Sequence, residues 1–183
     1  FALMLALSGA LVISLYLQNR FFGEYTELND RFVVSRELIS LLERQRRHLD
    51  YFMALHEPRE RDLFESLTAD TVRHLGEYDR LVSLRLGERY ADVLGAAGRA
   101  FAEKQYPRRL EIMERRVFPE LNDIIRRVSD GNAAAAAGMA AKRARINRLL
   151  QRTSVAAGAI ILLSVFVTLG AIVGMYRGFT GPL

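Results

Sequence analysis

The sequence predicts an all-α protein, an up-down-up-down four-helix bundle whose first and last helices continue into two transmembrane helices. Three observations lead there. Two long runs towards the ends of the chain carry no charge. The segment between them repeats its apolar residues at helical spacing. No stretch alternates apolar and polar residues as a half-buried strand would.

Residues 1–19, FALMLALSGALVISLYLQN, make the first uncharged run and the first expected span. The chain starts at Phe1 without Met, inside an apolar segment, so a longer parent protein is expected. A cleaved signal peptide is the competing reading. Against it, the run exceeds an h-region of about 7–15 residues, and no small-x-small site precedes the charged part beginning at Arg20.

Residues 20–152 form the expected bundle. Its first helix follows the span without a break. Leu28, Phe32, Ser35, Ile39, Leu42, Arg46, Leu49 and Met53 recur at alternating intervals of four and three, a heptad seam. Pro58 ends this helix, because the residue before a proline is pushed out of the α region. Pro58 also suits the first position of a second helix, with Phe64, Leu67, Thr71, His74 or Leu75, Tyr78 and Leu81 on one side and Gly87 as its C-terminal cap.

The third helix starts near Glu88 and carries Tyr90, Leu94, Ala97 and Phe101. The next turn falls at Pro107 or at Pro119. Length favours Pro119, since a last helix from there to Arg152 would span about 51 Å and nearly match the first, at about 55 Å from Arg20 to His56. That last helix shows Leu121, Ile124, Val128, Gly131, Ala135, Met139, Lys142, Ile146 and Leu149. Its NAAAAAGMAA stretch is strongly helix-forming, and its small residues admit a close neighbour.

Residues 153–176, TSVAAGAIILLSVFVTLGAIVGMY, are twenty-four consecutive positions without a charge. As a helix they reach about 36 Å, enough to cross a hydrocarbon core about 30 Å thick with some tilt. Arg152 and Arg177 close the run, and Tyr176 stands where an interfacial aromatic would. Gly170 and Gly174 form a GxxxG, a spacing that permits helix–helix contact within a membrane. No ionisable residue lies in either run, which argues against an ion or proton pathway.

Residues 18–152 hold all 21 acidic residues and every basic residue except Arg177, a net charge of +4. The basic balance does not point to nucleic acid. Arginines are interleaved with carboxylates, as in Arg59, Glu60, Arg61, Asp62 and in Glu111, Glu114, Arg115, Arg116, which reads as a solvated helix surface. Cysteine is absent, so disulfides and Cys-ligated zinc are excluded.

The layout of span, long helix, two shorter helices, long helix and span resembles the four-helix-bundle sensor modules of bacterial transmembrane receptors, of the chemoreceptor and sensor histidine kinase type. The tail from Tyr176 to Leu183 is similar to the opening of a HAMP linker, with Pro182 and Leu183 matching its Pro-Leu pair and residues 177–183 as the linker's start. Gly181 departs from the basic residue common there. The resemblance implies a parallel homodimer in a bacterial inner membrane, with residues 20–152 extracytoplasmic. It implies a small-molecule or periplasmic-protein ligand, and an output domain beyond Leu183: a histidine kinase ahead of a chemotaxis or cyclase module. A membrane-anchored helical scaffold is the alternative from another class.

Nothing in the sequence has the spacing of a catalytic site, and neither enzyme activity nor a cofactor is expected of these residues. His48 is expected on the exposed side of the first helix, His56 at its distal turn and His74 near the seam of the second. A metal site from His56 and His74 is less favoured than a turn residue and a half-buried histidine. Arg46 is the candidate ligand residue. It occupies a heptad core position, a buried cation needs a partner, and receptors of this layout hold ligand carboxylates with Arg at a dimer interface.

Overall fold

The computed structural model describes residues 2–179, apart from the side chains of most of residues 2–18, of Phe21, of Ala157, Ile160, Ile161, Ser164 and Ala171, and of residues 177–179. Every regular element among the described residues is a helix, and none of these residues is in a strand. Helix α1 is Ala2–Leu55, α2 is Pro58–Val82, α3 is Leu86–Ala102 and α4 is Tyr106–Ile112; a π-helical segment, Met113–Val117, then leads into α5, Phe118–Phe179. The chain divides into two compact units, residues 1–139 and 140–183.

In the first unit each helix presents one apolar stripe to a common core. Leu38, Leu42 and Leu49 of α1, Phe64, Leu75 and Tyr78 of α2, and Tyr90, Val93 and Ala97 of α3 are buried against Met113, Val117, Leu121, Ile124 and Val128. The predicted seam of the first helix holds at Ser35, Leu42, Leu49 and Met53 and fails at Arg46, which is exposed; Gln45 takes the interior position. At the end of the unit that holds the first turn, the ring of Phe101 stands edge-on to Phe52 and Phe64, at 5.0 and 5.7 Å between centroids. The Arg109 guanidinium lies 5.5 Å over Phe52 and donates to the Glu103 carbonyl, which fixes the chain where α3 gives way to α4.

The turns correct two expectations. Helix α2 stops at Val82, and Ser83 and Arg85 take the left-handed conformation that Gly87 was expected to supply. Gly87 lies instead in the first turn of α3. The Asp79 carboxylate, from the last turn of α2, accepts the Leu86 N–H at 2.8 Å and the Gly87 N–H at 2.7 Å. It thus satisfies two orphan donors at the positive end of α3. A Cβ at residue 87 would stand 3.3 Å from Asp79 Oδ2, so the glycine leaves that carboxylate its room.

The third turn lies at Glu103–Gln105, just before Pro107, and Pro119 sits inside a continuous helical run. An interior proline removes one N–H, and its ring presses on the carbonyl four residues back. The preceding turn widens to accommodate it, and the Phe118 N–H donates to the Met113 carbonyl five residues earlier. The equal-height argument for Pro119 therefore fails: the chain keeps helical backbone from Tyr106 to Phe179, with one π-bulge.

The second unit is helical from Ala140 to Phe179, and Leu162, Leu163, Phe166, Val167 and Tyr176 within it are each more than 60% exposed. Among the described residues no helix is long and apolar enough to cross a membrane. The uncharged run 153–176 includes five of the side chains that are not described, and nearly all the side chains of the first run, 1–19, lie outside the described residues. Pro182 and Leu183, the expected start of a HAMP linker, also lie outside them.

Candidate functional site

Among the described residues the interior of the first unit is apolar except at two levels, and both tie helices together through named polar groups. At the first, the side chain of Gln45 is fully buried. Its Oε1 accepts from Tyr90 Oη at 2.7 Å and from Thr71 Oγ1 at 3.1 Å, while Nε2 donates to Thr68 Oγ1 and the Phe64 carbonyl, both at 3.3 Å. One amide thus joins α1, α2 and α3 with every polar atom used, the condition under which a buried polar group is tolerable. Burial raises the Tyr90 phenol above its ordinary pKa, against the opposing hydrogen bonds from Gln45, Thr68 and Thr71.

At the second level α5 meets α1 and α2. Ser35 Oγ stands 2.9 Å from Asn132 Oδ1. One residue away, the Tyr78 ring packs onto Gly131, where an added Cβ would lie 2.0 Å from the phenol oxygen. That oxygen and Arg31 Nε are buried, and neither has a hydrogen-bond partner among the described residues. Desolvation raises the Tyr78 pKa; the Arg31 charge works the other way and Asp79 adds to the rise.

A charged cluster joins α3 to α5. Arg89 donates to Asp123 at 2.6 Å and to Glu120 at 2.5 Å, while Arg127, at 2.7 Å, and Arg126 reach the same Asp123 carboxylate. Arg127 first, then Arg126 and Arg89, hold the Asp123 carboxyl well below the usual carboxylate range. A depressed folded pKa contributes stability above the unfolded value, about 3.9, and loses it as pH falls through the folded value. Asp123→Asn is therefore expected to lower the thermal midpoint at pH 7, with the gap closing towards pH 2. An equal gap at both pH values would assign the loss to something other than this carboxylate.

The sequence-predicted residues fall as follows. Arg46 projects outward, about half exposed, with Asp50 at 3.9 Å, so the premise of a buried cation at the core fails. His48 is half-buried instead of exposed, its Nδ1 2.7 Å from Glu60 Oε2. His74 bridges the Asp70 carbonyl and Glu37 Oε2, at 2.8 and 3.0 Å. Each of these two histidines links its helix to the neighbour through a carboxylate. His56 does lie at the distal turn, with positive φ, its ring 5.0 Å from that of Tyr106. At Gly170 and Gly174 an added Cβ would meet nothing within 4 Å. Among the described residues no group of three His, Asp or Glu could hold a metal ion.

Gln45, Asp79, Arg89 and Asp123 were not singled out from the sequence. Only Asp123 left a signal there, since Asp followed by Arg at three and four residues is an intrahelical pairing pattern. The geometry is that of a helical body whose members are pinned in register by buried polar contacts. The chain matches no protein-family model, no curated protein and no solved structure.

Proposed function

We propose that this chain is the sensor and transmembrane portion of a bacterial two-span receptor, a sensor histidine kinase. In this reading residues 20–152 form an extracytoplasmic up-down-up-down four-helix bundle, and residues 1–19 and 153–176 cross the inner membrane. Displacement of the second span passes a stimulus through a HAMP linker, begun by Pro182 and Leu183, to the output domain beyond. Two chains associate in parallel, with Arg46 and the exposed face of the first helix facing the partner and Gly170 and Gly174 at the contact between spans.

The observation that carries the reading is the continuity of α5. One helix of 62 residues leaves the core at Leu121, Ile124 and Val128 and runs into the uncharged stretch. A helix unbroken by a loop transmits a shift of about 1–2 Å or a small rotation without dissipating it. Exposed apolar side chains along residues 155–176, with no charge among them, are costly in water and favourable in lipid.

Because the chain has no cysteine, single cysteines report both topology and pairing. In intact cells Glu65→Cys is expected to react with a membrane-impermeant maleimide, and Arg177→Cys only after lysis. Cysteines along exposed α1 positions such as Val33, Arg36 and Arg46 are expected to crosslink between copies every three to four residues. Labelling of Arg177→Cys in intact cells, or recovery of the protein in the soluble fraction, would overturn the receptor reading. Correct topology with no crosslink at any position would favour the anchored scaffold.

A further inference from the structure

Where α3 ends and α4 runs into the π segment, an open cleft of about 410 Å³ is lined by Arg99, Glu111, Ile112, Arg115 and Arg116. Its size lies within the range of small-molecule sites, about 300–1,000 Å³. Three guanidinium groups share it with one carboxylate. Arg115 Nη1 pairs with Glu111 Oε1 at 3.2 Å. Among the described residues no ion-pair partner stands at Arg99 or Arg116, in contrast to Arg31, Arg73, Arg89, Arg126 and Arg127. The cleft therefore holds two positive charges that no carboxylate among the described residues pairs, and a bound anion would be attracted to both.

The backbone makes this arrangement. At the π segment the Phe118 N–H reaches back five residues to the Met113 carbonyl, while Glu111, in the last turn of α4, pairs with Arg115 four residues on. Arg115 and Arg116 are consecutive residues of the segment, with Arg99 facing them from the last turn of α3. Ile112, half-buried, supplies an apolar wall.

We propose that this cleft binds a small dianion bearing carboxylate or phosphate groups. Arg99 and Arg116 hold the charged ends, and Glu111 fixes Arg115 as a third donor. Planar, forked guanidinium groups match such oxyanions in two-point contacts. Pairing of Glu111 with one arginine sets the uncompensated charge at two, which favours a dianion over a monoanion. Binding rests on the cleft alone; only its use as the receptor's stimulus rests on the receptor reading. A ligand here touches Arg115 and Arg116, on the same continuous helical run as α5.

The test is calorimetric titration of the purified full chain, in detergent at low salt, with succinate and separately with inorganic phosphate. Saturable binding of at least one is expected, weakening as chloride is raised. Tighter succinate binding would show that the Ile112 wall contributes; phosphate alone would reduce the site to charge. Arg99→Ala and Arg116→Ala are each expected to weaken binding roughly tenfold, the worth of one charge-assisted contact. Glu111→Gln frees Arg115 and raises the uncompensated charge from two to three, and is expected to tighten binding of both anions. Both arginines are exposed, so far-UV circular dichroism and the thermal midpoint separate lost binding from lost folding, and Arg99→Lys should retain part of the affinity. No saturation by either anion, or unchanged affinity in the Arg99→Ala, Arg116→Ala double variant, would overturn the proposal. Cysteine labelling of the membrane topology is independent of either result.

Discussion

Gly131→Ala is expected to destabilise the first unit by about 1–2 kcal/mol, although alanine is the better helix former by about 1 kcal/mol. The added Cβ would lie 2.0 Å from Tyr78 Oη and 3.3 Å from Cζ, so turning the hydroxyl does not clear it and the whole ring has to move. Tyr78 is fully buried, and overpacking at such a site costs about 1–3 kcal/mol or more. Tyr78→Phe removes the offending oxygen, which has no partner among the described residues, and leaves the nearest ring carbon in tight but adjustable contact. Tyr78→Phe alone should therefore be close to neutral. With it in place, Gly131→Ala should turn neutral or stabilising. Chemical denaturation of the four chains forms a double-mutant cycle. Additive effects, with no coupling between residues 78 and 131, would show that this contact does not set the separation of α2 and α5.

The helices were legible in the sequence because apolar residues recur at a period that strands do not share. The core positions Phe64, Tyr78, Tyr90, Ala97, Leu121, Ile124 and Val128 followed from that period, which left His74 and Leu75 as alternatives where the chain buries Leu75. The period says less where two polar residues adjoin. Around Ser35, Leu42 and Leu49 a stripe can be widened on either flank, through Ile39 and Arg46 or through Leu38 and Gln45. The chain buries Gln45 because an uncharged amide can be satisfied by Thr68, Thr71 and Tyr90, whereas a buried guanidinium demands a carboxylate. Those partners lie on other helices, out of reach of any local pattern.

The turns were legible only where a single residue decides them. Pro58 opens α2 as expected, because a first-turn proline gives up an N–H that had no partner. Pro107 and Pro119 are alike as local signals, and the matching of helix lengths favoured Pro119, where no turn occurs. What separates them is whether the preceding turn can widen, and the π segment at Met113–Val117 is the answer, decided by backbone strain that no residue type advertises. The left-handed residues Ser83 and Arg85 were likewise hidden. Gly87 looked like the cap, but Asp79, eight residues earlier, receives the Ser83 N–H on its carbonyl at the end of one helix and the Leu86 and Gly87 N–H groups on its carboxylate at the start of the next.

The Gln45 contacts predict the other large effect. Gln45→Leu fills nearly the same volume, yet is expected to cost about 2 kcal/mol, because it strands one phenol in an apolar core at about 1–3 kcal/mol for an unsatisfied group. The threonines are not stranded: Thr71 Oγ1 can turn to the Leu67 carbonyl at 2.9 Å, and Thr68 Oγ1 to that of Phe64 at 3.3 Å. Tyr90 has no carbonyl to turn to among the described residues; without Gln45 it keeps only the Thr68 and Thr71 hydroxyls beside it. Adding Tyr90→Phe to Gln45→Leu should therefore recover about 1–2 kcal/mol, while Tyr90→Phe alone destabilises, an inversion of sign that only a shared hydrogen bond produces. Urea denaturation of the single and double variants measures it. If the double variant is as unstable as the sum of the singles, the penalty of Gln45→Leu comes from packing, and the amide is a bystander. Recovery would instead mean that an apolar pair can replace the polar one without loss of stability. What Gln45 then supplies is direction: its amide admits one register of α1 against α2 and α3, which leucine would not distinguish from its neighbours.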